Sequence, residues 1–485
     1  MLFEIFSKKL SNNSRDNLHI IIAMVMWGGE MRDKNSEASV NTTKQKNEFS
    51  SRIGFVLSAA GSAVGLGNLW RFPYLAAQYG GGIFLLIYIL LATTFGYALM
   101  LTEIAMGRKT GKSVIGAFSS LNRHYGFIGY IAAVVPMLIF PYYCVIGGWV
   151  VKYLAAFLTM QSNVSDDGYF PSFISTTLQP IVFLCVFLFI TAAVVLLGVQ
   201  KGIEKFSKVL MPVLLVLTII IAVYSLTLDG AMEGLIYYVK PNFSHFSAKT
   251  VVAALGQLFY SMSLAMGIMI TYGSYMKKDS NLEKSVRQIE IFDTGIAFLA
   301  GLMIIPAVFA FSGGDSDALS TGPSLMFVTL PKVFQAMPGG AVIGTVFFLL
   351  VFFAALTSSV SLMETIVSIF SDKIKADRTV ICILVMIGSL ILAVPSSLGF
   401  GAWDGVRLFG LSILDAVDFF SNNILMPIVA LLTSIFIGYV VGTKAIEKEV
   451  EVSEKFRTKK LYNAMIKYFV PVCLTVILIS SFTGV

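Results

Sequence analysis

Gly61-Ser62-Ala63-Val64-Gly65-Leu66-Gly67-Asn68-Leu69-Trp70-Arg71-Phe72-Pro73 is the stretch on which the fold turns. It lies inside an apolar segment, 53–74, that is long enough to cross a bilayer. Lipid offers a backbone no hydrogen-bond partners, so a spanning segment normally bonds to itself as a helix. Glycine costs a helix about 1 kcal/mol relative to alanine. Gly61, Gly65 and Gly67 fall together here, beside Asn68 and Arg71. The pattern predicts a helix broken in mid-membrane. Broken backbone at that depth survives only where it is buried in protein or lines a wet cavity. Its free carbonyls can then bind cations, and its half-helix N-terminus can hold an anionic group.

The rest of the chain has the composition this requires. Of its 485 residues 56% are hydrophobic and 13% charged, against about 25% charged in soluble domains. Mean hydropathy is +0.81, so this is a polytopic membrane protein. The net charge of +7 sits in short loops between spans and gives no reason to expect nucleic acid. Cys144, Cys185, Cys382 and Cys473 are scattered through apolar segments, with no CxxC or Cys/His cluster. Neither a metal centre nor a disulfide framework is expected.

Eleven segments reach spanning length: 53–74, 83–106, 126–157, 181–199, 207–227, 250–275, 288–312, 341–371, 379–398, 413–442 and 464–482. The bases Arg108, Lys109, Lys112 and Arg123, Lys201, Lys205 and Lys208, Lys277, Lys278, Lys284 and Arg287, Lys373, Lys375 and Arg378, and the Lys444–Lys467 cluster fall on one side. The positive-inside rule puts that side, and the N-terminus, in the cytoplasm and the C-terminus outside. Residues 228–249 form an external loop, 443–463 a cytoplasmic one. Residues 313–340, with Pro323, Pro331 and Pro338, read as an external re-entrant hairpin.

The sixth span repeats the oddity of the first. Ser261-Met262-Ser263-Leu264-Ala265-Met266-Gly267 interrupts its apolar run with small and hydroxyl residues. Interrupted spans in corresponding positions of two halves point to an inverted-repeat transporter. Residues 53–227 and 250–442 are then two five-span repeats, inverted because each holds an odd number, and 464–485 lies outside them. Gly202 and Pro212 bracket the start of the fifth span, as an unwinding point or a tolerated kink. Residues 1–52 form an N-terminal tail. Its first thirty residues read as a short interfacial helix or as untranslated upstream sequence with the true start at Met31, because Gly28-Gly29-Glu30 fits a ribosome-binding codon run.

These residues resemble the neurotransmitter:sodium symporter family, with its LeuT-type all-α membrane fold. Besides Gly61–Pro73, the resemblance rests on Gly80-Gly81-Gly82, Glu103-Ile104-Ala105-Met106-Gly107-Arg108, Lys201-Gly202-Ile203-Glu204-Lys205 and Phe353-Ala354-Ala355-Leu356-Thr357-Ser358-Ser359. It covers nearly all of the chain from about Ser50. It implies sodium-coupled uptake of an amino acid or amine by alternating access, and eleven spans resemble the prokaryotic amino-acid branch in the inner membrane. No organic cofactor is implied.

By the same resemblance, one sodium site uses Gly61, Val64, Ala354, Thr357 and Ser358. The other uses Ala63, Asn68, Ser261 and Asp293, completed by the substrate carboxylate. Sodium suits such cages of hard oxygen. Asp293 stands where many relatives have asparagine, and an intramembrane carboxylate is functional by default; as a local alternative it caps the start of its span. Tyr88, Gln257 and Ser261 match the chloride pocket of chloride-dependent relatives, but Asp293 supplies the negative charge, so chloride is not expected. The substrate carboxylate is expected on the Gly65, Leu66 and Gly67 amides and the Tyr143 hydroxyl, with Tyr143 and Tyr260 as the lid. Ala63, Ile139, Tyr260, Ser263, Met266, Ala355, Ser359 and Leu362 would line the side-chain pocket, with Ser261 beside them. Met266, unbranched and adaptable, resembles members that take aromatic or large hydrophobic L-amino acids. Arg71 with Asp418 is the expected outer gate. Asp372 is the expected inner-gate acid, with Lys46 and Phe49 where relatives carry arginine and tryptophan. Glu103 reads as support for the first break, or as an interfacial acid; Glu364 has no assigned role.

Other classes fit less well. HExxH, GxSxG and paired histidines are missing, and Gly107–Ser113 mimics a phosphate loop but is one residue short. A channel needs a continuous polar stripe, whereas the polar residues here converge on two breaks. A carrier of smaller aliphatic amino acids, or an amino-acid sensor on the same fold, remains open.

Overall fold

The computed structural model describes residues 48–313 and 324–483. The Met31 start, Lys46 and part of the 313–340 loop lie outside the described residues. These are helical, with only two isolated β-bridges, Gly81 with Pro241 and Leu408 with Leu411. The helices used below are α1 (Arg52–Ala63), α2 (Gly67–Gln78), α3 (Gly82–Thr110), α4 (Arg123–Leu158), α5 (Leu178–Leu196) and α6 (Val199–Leu226). A second series follows: α7 (Ala248–Ser261), α8 (Ile268–Ser274), α9 (Leu282–Ser312), α10 (Leu325–Ala336), α11 (Gly340–Lys373), α12 (Arg378–Leu398), α13 (Ile413–Val440) and α14 (Lys459–Ser481).

Among the described residues nine helices are long and apolar enough to cross a bilayer, ten when the bent pair α1 and α2 counts as one span. That pair is bent by 54°. The remaining expected span, 250–275, is divided into α7, of 14 residues, and α8, of 7, each too short to cross by itself. The fifth span begins earlier than expected, because Val199–Glu204 already winds as a wide π turn through Gly202. Pro212 is accommodated inside α6.

The broken pairs sit at the centre. α1 packs against α6, α9 and α11, while α8 packs against α3. Two glycines allow that last contact. A Cβ on Gly107 would lie 1.9 Å from the Ile270 carbonyl oxygen, and one on Gly273 2.3 Å from that of Ile104. Small residues that let backbones approach are a common device of membrane helix pairs. Asn68, Gln257, Ser261 and Asp293 are buried between these helices. Large apolar side chains such as Phe189, Val216, Ile391 and Val472 stay exposed on the spans, which suits contact with lipid.

Candidate functional site

The first break is built by backbone. Val64 ends α1 in an extended conformation, φ −73° and ψ 102°, which frees carbonyls from the helical ladder. The Ser358 hydroxyl of α11 reaches three of them, Gly61 at 3.4 Å, Ser62 at 3.0 Å and Val64 at 3.3 Å. The Thr357 hydroxyl donates within its own helix, to Phe353 and Ala354 carbonyls at 3.1 Å each. A Cβ on Gly61 would lie 3.3 Å from that of Thr357. Ser358 therefore faces the Gly61, Ser62 and Val64 carbonyls, with Thr357 beside Gly61 and bonded to the Ala354 carbonyl of its own helix. All the donors are neutral oxygens, the set that fits sodium. At Gly65 the chain passes close to α11: a Cβ there would meet Ser358 Oγ at 2.6 Å.

On the other side of the break stands a carboxylate. Asn68 Nδ2 donates to Asp293 Oδ1 at 2.8 Å and to its main-chain carbonyl at 3.2 Å. Asn68 Oδ1 accepts from the Gly65 amide at 3.2 Å. Ser261 donates to both carboxylate oxygens, at 2.9 and 3.0 Å, and the Tyr88 hydroxyl reaches the second at 3.3 Å. Asp293 does not cap its helix. It is fully buried well inside α9, whose start is capped by Asn281. Asn68, Ser261 and Asp293 are thus brought together, with Ala63 in the adjoining cavity wall. Gln257 Nε2 donates to the Gly67 carbonyl at 2.9 Å, tying α7 to the break.

The second break, Met262–Gly267, is held in a costly conformation. Ser263 and Ala265 have positive φ, 52° and 59°, as does Gly267 at 73°. For the two non-glycine residues this costs roughly 1–3 kcal/mol each. Their partners offset it. Ser263 donates to the Ser62 carbonyl at 2.9 Å, and the Ala265 amide donates to Glu103 Oε1 at 2.8 Å. Glu103 therefore braces the second unwound segment, not the first as expected from its place in the sequence.

Between the breaks lies a small cavity of about 30 Å³. Ala63, Gly65, Leu66, Gly67, Ile139, Tyr143, Tyr260, Ser263, Met266 and Leu362 line it as expected, and Ser62, Ile268 and Ser358 are additions. The Leu66 amide and Tyr143 hydroxyl are 3.5 Å apart. Three expected lining residues are displaced. Ala355 and Ser359 are absent from the wall, to which α11 contributes Ser358 and Leu362. Ser359 instead pairs with Thr191 at 2.7 Å. Ser261 points to Asp293 rather than into the cavity.

Tyr260 separates this cavity from a vestibule of about 320 Å³, whose wall it shares with Arg71, Phe259, Phe419 and Asn422. The expected Arg71–Asp418 pair is not formed here. The Arg71 guanidinium lies over the Tyr260 ring, 5.1 Å from its centroid, and Asp418 accepts from Asn422 Nδ2 at 2.6 Å. At the opposite end Asp372 accepts from the Ser113 amide at 2.8 Å. Phe49 is buried there against Phe55 and Tyr272, with ring centroids 5.5 and 5.6 Å away. Two acids there escaped sequence reasoning. Glu204 binds the Ser50 amide at 2.7 Å, and Glu364 pairs with Arg378. Only the bare presence of an acid in an apolar run pointed to Glu364, and nothing nearby named its partner.

Two broken helices face each other across carbonyls, hydroxyls and one buried carboxylate, the arrangement of an inverted-repeat membrane transporter. The chain matches the sodium:neurotransmitter symporter family over residues 46–166 and 174–485. It is 34% identical to an uncharacterized sodium-dependent transporter, YhdH, of Bacillus subtilis over 89% of this chain and 97% of that one. An uncharacterized sodium-dependent transporter of Haemophilus influenzae is 33% identical over 90% and 98% of the two chains. Among solved structures, MhsT in complex with L-phenylalanine superposes with a TM-score of 0.82 at 37% identity, covering 90% of this chain and 99% of that one. This chain belongs to the sodium:neurotransmitter symporter family. It is a multi-pass, sodium-dependent symporter with the LeuT-type fold.

Proposed function

We propose that the protein imports an L-amino acid with an aromatic or large hydrophobic side chain, coupled to sodium, by alternating access. The single observation that carries this reading is the cavity bounded by both breaks. Its polar end has the Gly65, Leu66 and Gly67 backbone and the Tyr143 hydroxyl, which suit a carboxylate. Its apolar end has Ile139, Met266 and Leu362. The MhsT complex with L-phenylalanine supports the same class of side chain. At about 30 Å³ the cavity is larger than the 10–15 Å³ a water needs but far too small for an amino acid. Loading therefore requires Tyr260 and the facing helix ends to move apart, which alternating access supplies.

Sodium occupies two oxygen cages in this reading. One is formed by Gly61, Val64, Ala354, Thr357 and Ser358. The other is formed by Ala63, Asn68, Ser261 and Asp293 and is closed by the substrate carboxylate. Asp293 balances the cation charge where relatives would need chloride, so transport runs without chloride; after sodium leaves, the acid is free to take a proton outward. The Arg71 end faces outward, the Phe49 end inward, in the bacterial inner membrane. Arg71 and Asp418 close the vestibule as it narrows, and Asp372 with Lys46 serves the inner end. The test is uptake into proteoliposomes under an inward sodium gradient, with gluconate replacing chloride. Accumulation of tryptophan, tyrosine or phenylalanine in both salts supports the reading. Binding without accumulation identifies a sensor, and accumulation of small aliphatic amino acids alone refutes the pocket assignment.

A further inference from the structure

The connection between α12 and α13, residues 399–412, carries a small hairpin. Leu408 and Leu411 exchange two main-chain hydrogen bonds, each 3.0 Å long, around the central pair Phe409-Gly410. Both central residues have positive φ, 53° and 82°. Such a two-residue turn normally takes Asn, Asp or Gly at its first position. A bulky side chain there strains the backbone, so turn chemistry gives no reason for a phenylalanine. What the position gives Phe409 is exposure, since its ring is wholly uncovered. Trp403, Val406, Leu408 and Leu411 flank it and are themselves exposed.

The foot of the hairpin is fixed. The Gly401 and Trp403 amides both donate to the Leu398 carbonyl at 2.9 Å, and the Val406 amide donates to the Trp403 carbonyl at 2.8 Å. Phe400 packs edge-on against Trp149, with ring centroids 5.5 Å apart. Gly401 lies so close to the short helix Tyr169–Ser175 that a Cβ there would stand 2.3 Å from the Ser175 carbonyl oxygen. Ser412 caps α13 by accepting from the Asp415 amide at 3.1 Å. The only charged residues in 399–412 are Asp404 and Arg407, and they pair with each other. The result is an uncharged apolar tip on a rigid base.

The surroundings indicate what covers the tip. Leu384, Ile387 and Ile391 are exposed along one side of α12, the last of them two turns before its end, and this stripe suits lipid. Phe409 is four residues from Ile413, at most about 13 Å of extended chain, so the tip stays near the membrane surface from which α12 and α13 emerge. Trp403, at the foot, is a residue type favoured at that interface. A soluble protein partner would be recognised partly through charged groups, and the two here are already spent on each other. We propose that the hairpin is a lipid wedge: the Phe409 ring, with Leu408 and Leu411, inserts among the phospholipids of the leaflet on the vestibule side and continues the lipid-facing stripe of α12.

The experiment locates the tip by quenching. The full chain is placed in nanodiscs of phosphatidylcholine and phosphatidylglycerol, with Cys185 and Cys473 changed to serine and the buried Cys144 and Cys382 retained. A nitrobenzoxadiazole label is carried by Val406→Cys or, as a water-exposed reference, by Ser244→Cys; signal from the same chain without either substitution is subtracted. The quenchers are a phospholipid with a doxyl group near the head of its acyl chain, and aqueous iodide. A tip lodged roughly 5–10 Å into the headgroup and acyl boundary is expected to be quenched by the doxyl lipid about threefold more than the reference, and by iodide about threefold less. Phe409→Asn supplies a residue preferred in this turn, so the hairpin is kept while the ring is lost; doxyl quenching at Val406→Cys is then expected to fall to the reference level. Iodide quenching equal to the reference, without doxyl quenching, would place the tip in water and overturn the proposal. Protection from both quenchers would mean that another protein chain covers it, with the same consequence. Doxyl quenching that survives Phe409→Asn would show that the ring is not the anchor, and would overturn it too.

Discussion

Asn68 donates to Asp293 twice, to the carboxylate at 2.8 Å and to the main-chain carbonyl at 3.2 Å, and so joins the first helix break to the middle of α9. Ser261 and Tyr88 complete the ring around the same acid. In the proposed mechanism this charge replaces chloride. Asp293→Asn should therefore lower sodium-dependent binding at least tenfold in gluconate, with substantial recovery in chloride, because Tyr88, Gln257 and Ser261 are already in place to receive the anion. Scintillation proximity binding in the two salts checks this; equal loss in both would refute the charge-balance role.

The two hydroxyls of the other cage should not be equivalent. Ser358 crosses to the carbonyls of the broken strand, while Thr357 donates along its own helix. Ser358→Ala should raise the sodium concentration for half-maximal binding about tenfold, which corresponds to about 1.4 kcal/mol. Thr357→Ala should raise it less. Sodium titrations at fixed substrate rank the two, and the reverse order would contradict the geometry.

Gly65→Ala tests the close passage at the break. The new methyl would stand 2.6 Å from Ser358 Oγ. Overpacking of this kind costs roughly 1–3 kcal/mol. The expected outcome is a lower melting temperature together with loss of sodium-dependent binding. Wild-type behaviour in both would mean that the strand has room to shift.

Met266→Phe tests specificity. Met266 lines the cavity together with Ile139 and Leu362. A rigid ring there should disfavour tryptophan and favour leucine in competition binding, moving their ratio by about tenfold. An unchanged ratio would remove Met266 from the specificity argument.

Much of this was legible because the relevant signals are local. Three glycines with Asn68 and Arg71 in one apolar run announce a break, and the composition confines the fold to membrane helices. The quoted family strings contain Gly61, Ala63, Val64, Asn68, Ala354, Thr357 and Ser358, whereas Ser261 and Asp293 lie outside them. Errors arose where three-dimensional context decides. Ser359 sits one residue from the cavity-facing Ser358 yet pairs with Thr191 on α5, a choice invisible without knowing where the neighbouring helices lie. Glu103, at the inner end of the second span, reads as support for the first break or as an interfacial acid, whereas it accepts from the Ala265 amide in the second break.

Long-range ion pairs were the least legible feature. Glu364 and Arg378 lie on different helices, and neither residue type at that position names the other. Of the expected Arg71–Asp418 pair, Arg71 lines the vestibule while Asp418 bonds Asn422. Here Arg71 rests on Tyr260 instead, a contact that follows from the ring and the cation sharing one wall and not from any motif.

The most direct test of the account is equilibrium binding of labelled tryptophan, tyrosine and leucine to the purified protein, in sodium and then with potassium in its place. Sodium-dependent binding, with tryptophan or tyrosine held more tightly than leucine, is the result predicted. Binding indifferent to sodium would mean that the carbonyl, hydroxyl and carboxylate cages around Ser358 and Asp293 are not cation sites, and would contradict the central claim.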